Sequence, residues 1–465
     1  MITTKPIDIE DAHADILQNA FKKHLPEGVH VYAFGSRANW QAKRASDLDL
    51  AVDANDAIKR NIGNLEEELS LSALPYKVDI VNLSSMSDSF RRAIMNDLVP
   101  ILWDWEEVTL GKVITLQRGH DLAKSKMLDG IIPVAGSNGI IGHHNTATTK
   151  AIGITIGRSG NLGNAYLYKT DFWAHNTTLY VKNFKNNDEI FIYYILKNID
   201  FKSFNVGSAV PTLNRNHIHP LAISLPPLPE QKAIASLLSS LDDKIDLLHR
   251  QNKTLESIAE VIFRKWFIED ADDSWEEKSL NNVANYLNGL ACQKYPPKNN
   301  FDKLPVLKIK ELRGGINKDS DRATSNIEKK YIVQEGDIIF SWSGSLLVKI
   351  WDGEPCILNQ HLFKVTSTQY SKWFFYLWTK YHLIYFISLA ESKATTMGHI
   401  KKSDLDNAIV TIPSNNEIKH MDKTMKPIID KIIVNNMQIK TLESLRNTLL
   451  PKLMSGSIRV KYEAS

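Results

Sequence analysis

The sequence predicts an α+β multidomain protein with an N-terminal α/β domain, two β-rich domains and two long helices that pair as an antiparallel coiled coil. The chain has 465 residues, which is enough for about three ordinary domains. The pentapeptide KTLES occurs at 253–257 and again at 440–444, and a WEE tripeptide occurs at 105–107 and again at 275–277. The chain therefore contains an internal repeat, in which each copy is a β-rich segment followed by a long helix.

The composition is that of an ordinary globular protein, with 43% hydrophobic and 23% charged residues. The two cysteines, Cys292 and Cys356, cannot form a disulfide framework and are typical of a reducing compartment. Residues 1–17 lack the apolar core of a signal peptide, and no apolar run reaches the roughly 20 residues of a membrane span. We therefore expect a cytoplasmic protein with no membrane partner.

The charge is unevenly distributed along the chain. The net charge is +3, although residues 1–102 carry 11 Lys and Arg against 15 Asp and Glu. The remainder is therefore basic, which is compatible with contacts to phosphate. Many enzymes are as basic, so this balance alone does not identify a nucleic-acid partner.

The acidic segment contains a compact group of motif residues. Gly35 and Ser36 follow an apolar run, and Asp47 and Asp49 come about ten residues later, where strand alternation puts both carboxylates on one face. Asp79 lies on a further predicted strand. This pattern resembles the minimal nucleotidyltransferase family, which transfers a nucleoside monophosphate from a nucleoside triphosphate.

The resemblance implies a role for each of these residues. Backbone donors at Gly35 and Ser36 would meet the triphosphate, and Asp47, Asp49 and Asp79 would hold Mg²⁺ and carry the catalysis. A single Asp is as easily a solvated or capping residue, but three at this spacing argue against that reading together.

One departure leaves the activity of this domain open. Relatives commonly have glycine in the loop after Gly35 and Ser36, whereas this chain has Trp40, which would crowd the nucleotide. All three carboxylates are nevertheless present. The sequence thus predicts the fold of the domain more firmly than its catalysis.

Both long helices carry the apolar seam of a coiled coil. Apolar residues alternate at spacings of four and three from Ile234 to Trp266, and the pattern recurs from Met421 to Leu453 with two polar interruptions. Ordinary amphipathic helices packed in one core are the alternative. Two matched seams in one chain favour mutual pairing.

The ends of the helices carry recognisable signals. Pro229 suits the first turn of the first helix, and Ser414 with Glu417 forms an S-x-x-E capping box at the start of the second. Pro427 is a departure, because a proline inside a helix removes a hydrogen bond and should kink the helix or delay its regular part.

The seams also predict a register. Asn252 falls at an a position and Asn435 at a d position, and antiparallel coiled coils pair a with d. We therefore predict a contact between Asn252 and Asn435 near the middle of the pair. The same register pairs Ile245 with Leu442 and Leu248 with Ile439.

Three further motifs in the duplicated part resemble those of a known family. The first helix opens with PPLPEQ at 226–231 and ends with KWF at 265–267, and LLPKLMSG stands at 449–456. These motifs resemble the DNA-specificity subunits of type I restriction-modification enzymes over about residues 103–465. The second helix opens with IPSNNE at 412–417 instead of the proline-rich form, which affects capping more than function.

The resemblance implies a non-catalytic subunit that needs no cofactor for DNA recognition. Each β-rich domain would be a target-recognition domain that reads one half of a split double-stranded DNA sequence, and the paired helices would fix the spacing between the halves. Two methyltransferase subunits and the restriction/translocase subunits would complete the complex. The predicted segments are 1–102 (nucleotidyltransferase-like), 103–228 (first recognition domain), 229–268 (first helix), 269–413 (second recognition domain), 414–456 (second helix) and 457–465 (tail).

The DNA-contacting residues are less clearly indicated. A glycine-rich loop at 157–163 would present Arg158 and Asn161 to base edges, although a plain turn between two strands explains its glycines equally well. Trp342 and Trp351 look like core aromatics. The other candidates are Asn214, Arg215, Lys393, Thr395, Thr396 and His399.

Two other functions compete with this one. The chain is alternatively a nucleotidyltransferase that uses residues 1–102, with the rest as a recruiting module, or a free-standing coiled-coil adaptor. The share of the chain in the duplicated architecture favours the specificity subunit. The remaining histidines lack the Cys/His spacing of a zinc site, so we predict no structural metal (His143, His144, His217, His219).

Overall fold

The computed structural model describes residues 7–26, 28–43, 46–54, 58–95, 97–102, 104–204, 212–299, 301–392 and 399–460. The chain forms two compact units, Met1–Ser240 with Leu445–Ser465, and Leu241–Ser444. Among the described residues, no helix is both long enough and apolar enough to cross a membrane.

The N-terminal domain, in the first unit, is a four-stranded sheet covered by helices. Its sheet has the order β3-β2-β1-β4, with β2 and β3 parallel and the other pairs antiparallel. Apolar residues of the first and third helices, including Phe21 and Leu65, pack on the sheet with no exposed surface. The elements are α1 (Asp11–His24), β1 (His30–Phe34), α2 (Gly35–Ala38), β2 (Leu48–Asp53), α3 (Lys59–Ser70), β3 (Val78–Asn82), α4 (Asp88–Ile94) and β4 (Val99–Ile101).

The first β-rich domain follows in the same unit. Its strands form sheets of order β10-β9-β12-β6 and β11-β7-β8, and its first and last strands pair with each other, Glu106 opposite Leu225. The elements are β5 (Glu106–Thr109), α5 (Leu110–Val113), β6 (Thr115–Arg118), β7 (Ile132–Gly136), β8 (Gly139–His144), β9 (Gly153–Gly157), β10 (Ala165–Tyr168), β11 (Trp173–Ala174), β12 (Thr178–Asn183), α6 (Glu189–Asn198), α7 (Arg215–Ile218) and β13 (Ala222–Leu225).

The first long helix, α8 (Leu228–Arg264), connects this domain to the second β-rich domain. A π-helical turn at Lys265–Glu269 extends it. The second β-rich domain contains β14 (Glu276–Ser279), α9 (Leu280–Val283), β15 (Asn285–Asn288), β16 (Leu304–Leu307), α10 (Ile309–Gly314), β17 (Arg322–Ala323), β18 (Ile332–Val333), β19 (Ile338–Ser341), β20 (Leu347–Ile350), β21 (Cys356–Leu358), β22 (Leu362–Thr366), α11 (Lys372–Tyr381), α12 (Leu383–Ser392), α13 (Lys402–Asp406) and β23 (Ile409–Ile412). The second long helix, α14, spans Asn415–Met454.

The strand order shows the same duplication as the sequence. The sheet β6-β12-β9-β10 of the first β-rich domain corresponds to β15-β22-β19-β20 of the second, and each domain is closed by pairing its first strand with its last. The two domains even share a close backbone approach. A Cβ on Gly119 would lie 2.2 Å from the carbonyl oxygen of His175, and one on Gly289 would lie 2.2 Å from that of Asn359. Both positions therefore require glycine.

The helix ends agree with the sequence signals. The Ser414 N–H donates to Glu417 Oε2 over 2.8 Å, and the Glu417 N–H donates to Ser414 Oγ over 3.4 Å, which confirms the capping box. Helix α14 continues through Pro427, so the expected delay of its regular part does not occur. The flanking turns are packed into the core, where Met425 and Ile429 are buried.

The predicted asparagine contact is confirmed within the second unit. Asn435 Nδ2 donates to Asn252 Oδ1 over 2.9 Å, and Asn252 Nδ2 donates to Asn436 Oδ1 over 2.6 Å. An apolar cluster beside this pair holds the residues that the register pairs, which precede Asn252 on α8 and follow Asn435 on α14 (Ile245, Leu248, Ile439 and Leu442). Residues earlier in α8 therefore contact residues later in α14, so the two helices run antiparallel here.

The remaining core predictions concern two tryptophans and two cysteines. Trp351 has no exposed surface and belongs to the core, as expected. Trp342 is half-buried, packs against the core by stacking on Phe363, and also donates to Asn288. Cys292 and Cys356 are both free and buried. Burial raises the pKa of each thiol, which makes both unreactive.

Candidate functional site

The glycine–serine turn of the N-terminal domain lies against Asp49, the second carboxylate of the motif. Gly35 has a φ of +74°, and a Cβ there would lie 2.5 Å from Asp49 Oδ2. Asp49 stands opposite Phe34 on β1 and opposite Asp79 on β3. Strand pairing therefore brings Gly35, Asp49 and Asp79 together.

The carboxylates of this site repel one another. Burial raises the pKa of Asp49, and the negative charges of Asp79 and Asp47 raise it further. Lys77 opposes this effect, because its Nζ lies 2.5 Å from Asp79 Oδ1. Asp47 is exposed and stands one residue before β2 begins.

A buried arginine holds the loop that leads to these carboxylates. Arg37 Nε donates to the Ser46 carbonyl and Nη1 donates to the Asp8 carbonyl, each over 2.9 Å. Its guanidinium also lies over the Tyr76 ring, 3.8 Å from the centroid. The neighbouring Trp40 is 57% exposed with a φ of +55°, so its indole is directed to solvent and not into the core.

The carboxylates of this site are chemically suited to bind Mg²⁺, but their side chains do not converge on one point. Carboxylate oxygens are the ligands that this cation prefers. Over the ranges that the structure describes, however, no three His, Cys, Asp or Glu side chains converge closely enough to hold a metal ion. Binding of Mg²⁺ by Asp47, Asp49 and Asp79 therefore stays a prediction.

In the first β-rich domain, three of the four residues predicted to contact DNA line one cleft of about 570 Å³. Arg158 leaves the end of β9, and Asn214 and Arg215 begin α7. The backbone joins these segments, because the Leu213 N–H donates to the Arg158 carbonyl over 2.8 Å. Asn161 is exposed on the same loop but does not line the cleft.

The glycines of this loop serve its shape. The Gly163 N–H donates to the Gly157 carbonyl over 2.9 Å, so the loop closes on itself between β9 and β10. A Cβ on Gly163, whose φ is +78°, would lie 2.4 Å from Phe201 Cβ. The glycines are therefore explained by a plain turn between two strands. That turn also presents Arg158 to the cleft.

The cleft is predominantly basic. Arg118, Arg158 and Arg215 line it, with Asp121 as its acidic member. Arg118 Nη2 donates to Asp121 Oδ1 over 3.2 Å, which offsets part of this charge. Burial lowers the pKa of nearby His219, and the positive charge of Arg215 lowers it further.

Arg118 was missed by sequence reasoning. It is the last residue of β6 and precedes Gly119, and Gln117 and His120 beside it also line the cleft. The repeat offered a signal, since Gly119 and Gly289 occupy matching positions in the two domains.

Comparisons with known proteins agree with this architecture. The family model of the type I restriction modification DNA specificity domain matches residues 103–257 and 272–444. The chain belongs to this family. It is a type I restriction-modification specificity subunit.

Two relatives illustrate the match. The chain is 27% identical over 300 residues to the type I restriction enzyme MjaIX specificity subunit of Methanocaldococcus jannaschii, covering 58% of this chain and 69% of that protein. The crystal structure of the type I restriction-modification system S subunit from M. genitalium has the same fold, with a TM-score of 0.53 and 17% identity over 75% of this chain and 96% of that one.

The specificity subunit carries an additional family at its N-terminus. Residues 16–104 match the model described as polymerase beta, nucleotidyltransferase. Over 104 residues this part is 34% identical to the probable protein adenylyltransferase MntA of Haemophilus influenzae, covering 22% of this chain and 89% of that protein. The N-terminal domain therefore belongs to the nucleotidyltransferase family.

In the second β-rich domain of the specificity subunit, one of the residues predicted to contact DNA lies among the described residues. His399 is exposed and forms a backbone bridge with Ser343, and its ring lies 6.3 Å from that of Trp342. The other candidates of this domain, at 393, 395 and 396, lie outside the described residues (Lys393, Thr395 and Thr396).

Two residues of the PPLPEQ motif have buried structural roles. Gln231 Oε1 accepts from the Asp188 N–H over 3.0 Å, and Gln231 Nε2 donates to the Pro226 carbonyl over 3.0 Å. Glu230 accepts from Trp105 Nε1 over 2.9 Å. The motif therefore fixes the start of α8 to the first β-rich domain.

Proposed function

We propose that this specificity subunit reads a bipartite double-stranded DNA target, one half through each β-rich domain. The observation that carries the proposal is the duplication itself, with the same strand order and the same glycine contacts in both domains. Two recognition domains of the same fold, joined by helices of fixed length, suit a target made of two separated halves.

The two long helices would set the distance between the halves as an antiparallel coiled coil. A buried asparagine pair fixes the register of such a coil, because any slip would place an amide against leucine. Asn252 and Asn435 are at most 9% exposed and make that pair in this chain. A fixed register means a fixed number of unread base pairs.

In the first β-rich domain, the basic cleft would make the DNA contacts. Guanidinium groups such as those of Arg158 and Arg215 form bidentate hydrogen bonds with guanine and also bind phosphate. Two methyltransferase subunits and the restriction/translocase subunits would supply the chemistry, since specificity subunits are themselves non-catalytic. A cytoplasmic location suits this role.

The test is to map methylated bases in cells that express the full chain with its methyltransferase subunits. We expect a split motif with two defined halves and a constant spacer, absent from cells without the gene. In vitro, the complex should bind that motif with an affinity that falls steeply with salt, because phosphate contacts release counterions. Salt-insensitive binding to any duplex would contradict the proposal.

For the N-terminal domain, we propose nucleotidyl transfer as a second activity. The close approach of Gly35 to Asp49 and the similarity to MntA support it. Nucleoside triphosphate would meet the Gly35–Ser36 turn, and Asp47, Asp49 and Asp79 would be the acidic residues of the site.

Asp47→Ala or Asp49→Ala should abolish Mg²⁺-dependent transfer of labelled nucleotide and leave the methylation pattern unchanged. Asp15→Ala, an exposed change on α1, is the matched control. If a folded Asp49→Ala protein loses methylation, the domain serves assembly or DNA recognition instead.

A further inference from the structure

A backbone pattern in the first β-rich domain defines where its cleft lies. The Arg158 N–H donates to the Thr177 carbonyl over 2.8 Å, and the Arg158 carbonyl accepts from the Leu213 N–H over 2.8 Å. One residue further, Ser159 forms a bridge with Thr212. Arg158 is thus held between two chain segments at the cleft.

The second β-rich domain repeats this pattern around a different residue. The Trp342 N–H donates to the His361 carbonyl over 3.4 Å, and the Trp342 carbonyl accepts from the Ile400 N–H over 3.1 Å. One residue further, Ser343 forms a bridge with His399. Trp342 therefore occupies the position that Arg158 occupies in the first domain.

Around Trp342 lies a group of partly or fully exposed polar side chains, here called the amide–imidazole cluster (Asn288, Trp342, Gln360, His361 and His399). Trp342 Nε1 donates to Asn288 Oδ1 over 3.1 Å, and the Trp342 ring lies 6.0 Å from that of His361. Gln360 Nε2 lies 3.4 Å from His361 Nε2. On its other side, the Trp342 ring stacks on Phe363 at the edge of the core, with ring centroids 5.7 Å apart.

The cluster matches the basic cleft at a second position. Asn288 ends β15 and precedes Gly289, as Arg118 ends β6 and precedes Gly119. The cluster therefore stands where the first domain has its cleft. Its chemistry differs, because the cleft has three guanidinium groups and the five side chains of the cluster include none.

We propose that the amide–imidazole cluster is the base-reading site of the second β-rich domain, and that the two halves of the DNA target differ in composition accordingly. Arginine pairs best with guanine, whereas asparagine and glutamine pair with adenine. The first domain would select a guanine through Arg158, and the second would select adenine through Asn288 and Gln360.

The bonds within the cluster leave the amides competent for this task. Asn288 Oδ1 accepts one hydrogen bond from Trp342 and keeps a second lone pair, and its Nδ2 remains available to donate. A bidentate contact with adenine needs one acceptor and one donor from the same amide. The Trp342 indole would orient Asn288 for that contact.

The inference rests on the proposed bipartite reading and is tested in the same cells. Asn288→Ala/Gln360→Ala should relax one or more A·T positions in a single half of the methylated motif, with methylation of substituted sites rising roughly tenfold or more. Arg158→Ala should relax a G·C position in the other half. Asn288→Asp, which can accept from cytosine, should shift a preferred adenine toward cytosine.

The control is Asn282→Ala, an exposed amide change on α9 away from the cluster, which should leave the motif unchanged. A motif that stays unaltered in folded cluster variants would overturn the inference, and so would relaxation at a G·C position or in the half that Arg158→Ala affects. The absence of any split motif with the unaltered chain would instead contradict the proposed function.

Discussion

The Arg459 guanidinium has no exposed surface and lies between two carboxylates, those of Asp104 and Glu230. It donates to Asp104 Oδ1 over 2.9 Å and to Glu230 Oε1 over 2.8 Å, while Trp105 Nε1 donates to Glu230 Oε2. Burial raises the pKa of Glu230, and Arg459 opposes that shift. Residues from the predicted tail, the first helix and the domain boundary thus share one buried charge network.

Arg459→Met should destabilise the first unit by about 3–5 kcal/mol, because it leaves two buried carboxylates without a cation. The measurement is chemical denaturation followed by tryptophan fluorescence. Arg60→Ala, an exposed change on α3, should stay within about 0.5 kcal/mol of the unaltered chain. Adding Glu230→Gln to Arg459→Met should recover part of the loss, and a folded Arg459→Met chain of unchanged stability would contradict the argument.

Single residues show where sequence reasoning succeeds and where it ends. Arg158 was chosen from residue type and flanking glycines and Arg215 from residue type, but their shared cleft depends on a backbone bond between distant segments. Arg459 carries no local signal, because its burial and its partners come from the fold, whereas the only signal for Arg118 is its place before Gly119 in the repeat. The three aspartates were found through their resemblance to the nucleotidyltransferase motif, yet the motif did not reveal that Lys77 pairs with Asp79.

At the scale of elements, the heptad pattern predicted a contact across 183 positions of the chain, between Asn252 and Asn435. Periodicity predicts this contact because the a and d positions repeat regularly, so only a few pairings of the two helices bury both seams. It did not predict Asn436 as the second partner of Asn252, since that residue lies outside the seam. Nor did it predict continuity through Pro427, which depends on packing along α14.

Changing both asparagines, Asn252→Leu with Asn435→Leu, should keep or raise thermal stability and loosen the spacer length of the methylated motif. The buried amide pair costs stability but specifies register. Each single change should be less stable than the double, because it leaves one amide buried against leucine. Thermal melts and methylation mapping measure the two effects, and a spacer that stays strictly constant in the stable double variant would show that register is fixed elsewhere.

At the scale of the whole molecule, the sequence predicted the duplication and the element order, because repeats and periodicity survive in the residues themselves. It did not predict that each long helix is divided between two compact units, with α8 divided after Ser240 and α14 before Leu445. That division arises because the helix residues Ile234, Leu238 and Leu453 are buried in the core of the first β-rich domain. Packing, and not chain order, defines the units.

This packing decides how a half-site can be exchanged. Replacing residues 106–225 with the corresponding segment of another specificity subunit should alter one half of the methylated motif and leave the other half and the spacer unchanged. The graft begins and ends at the paired strands β5 and β13 and keeps Asp104 and Trp105, which bond to Arg459 and Glu230. The same graft with Asp104→Ala and Trp105→Ala should lose stability, since the buried charge network would be broken. If both halves of the motif change together in the stable graft, the two domains do not read independently.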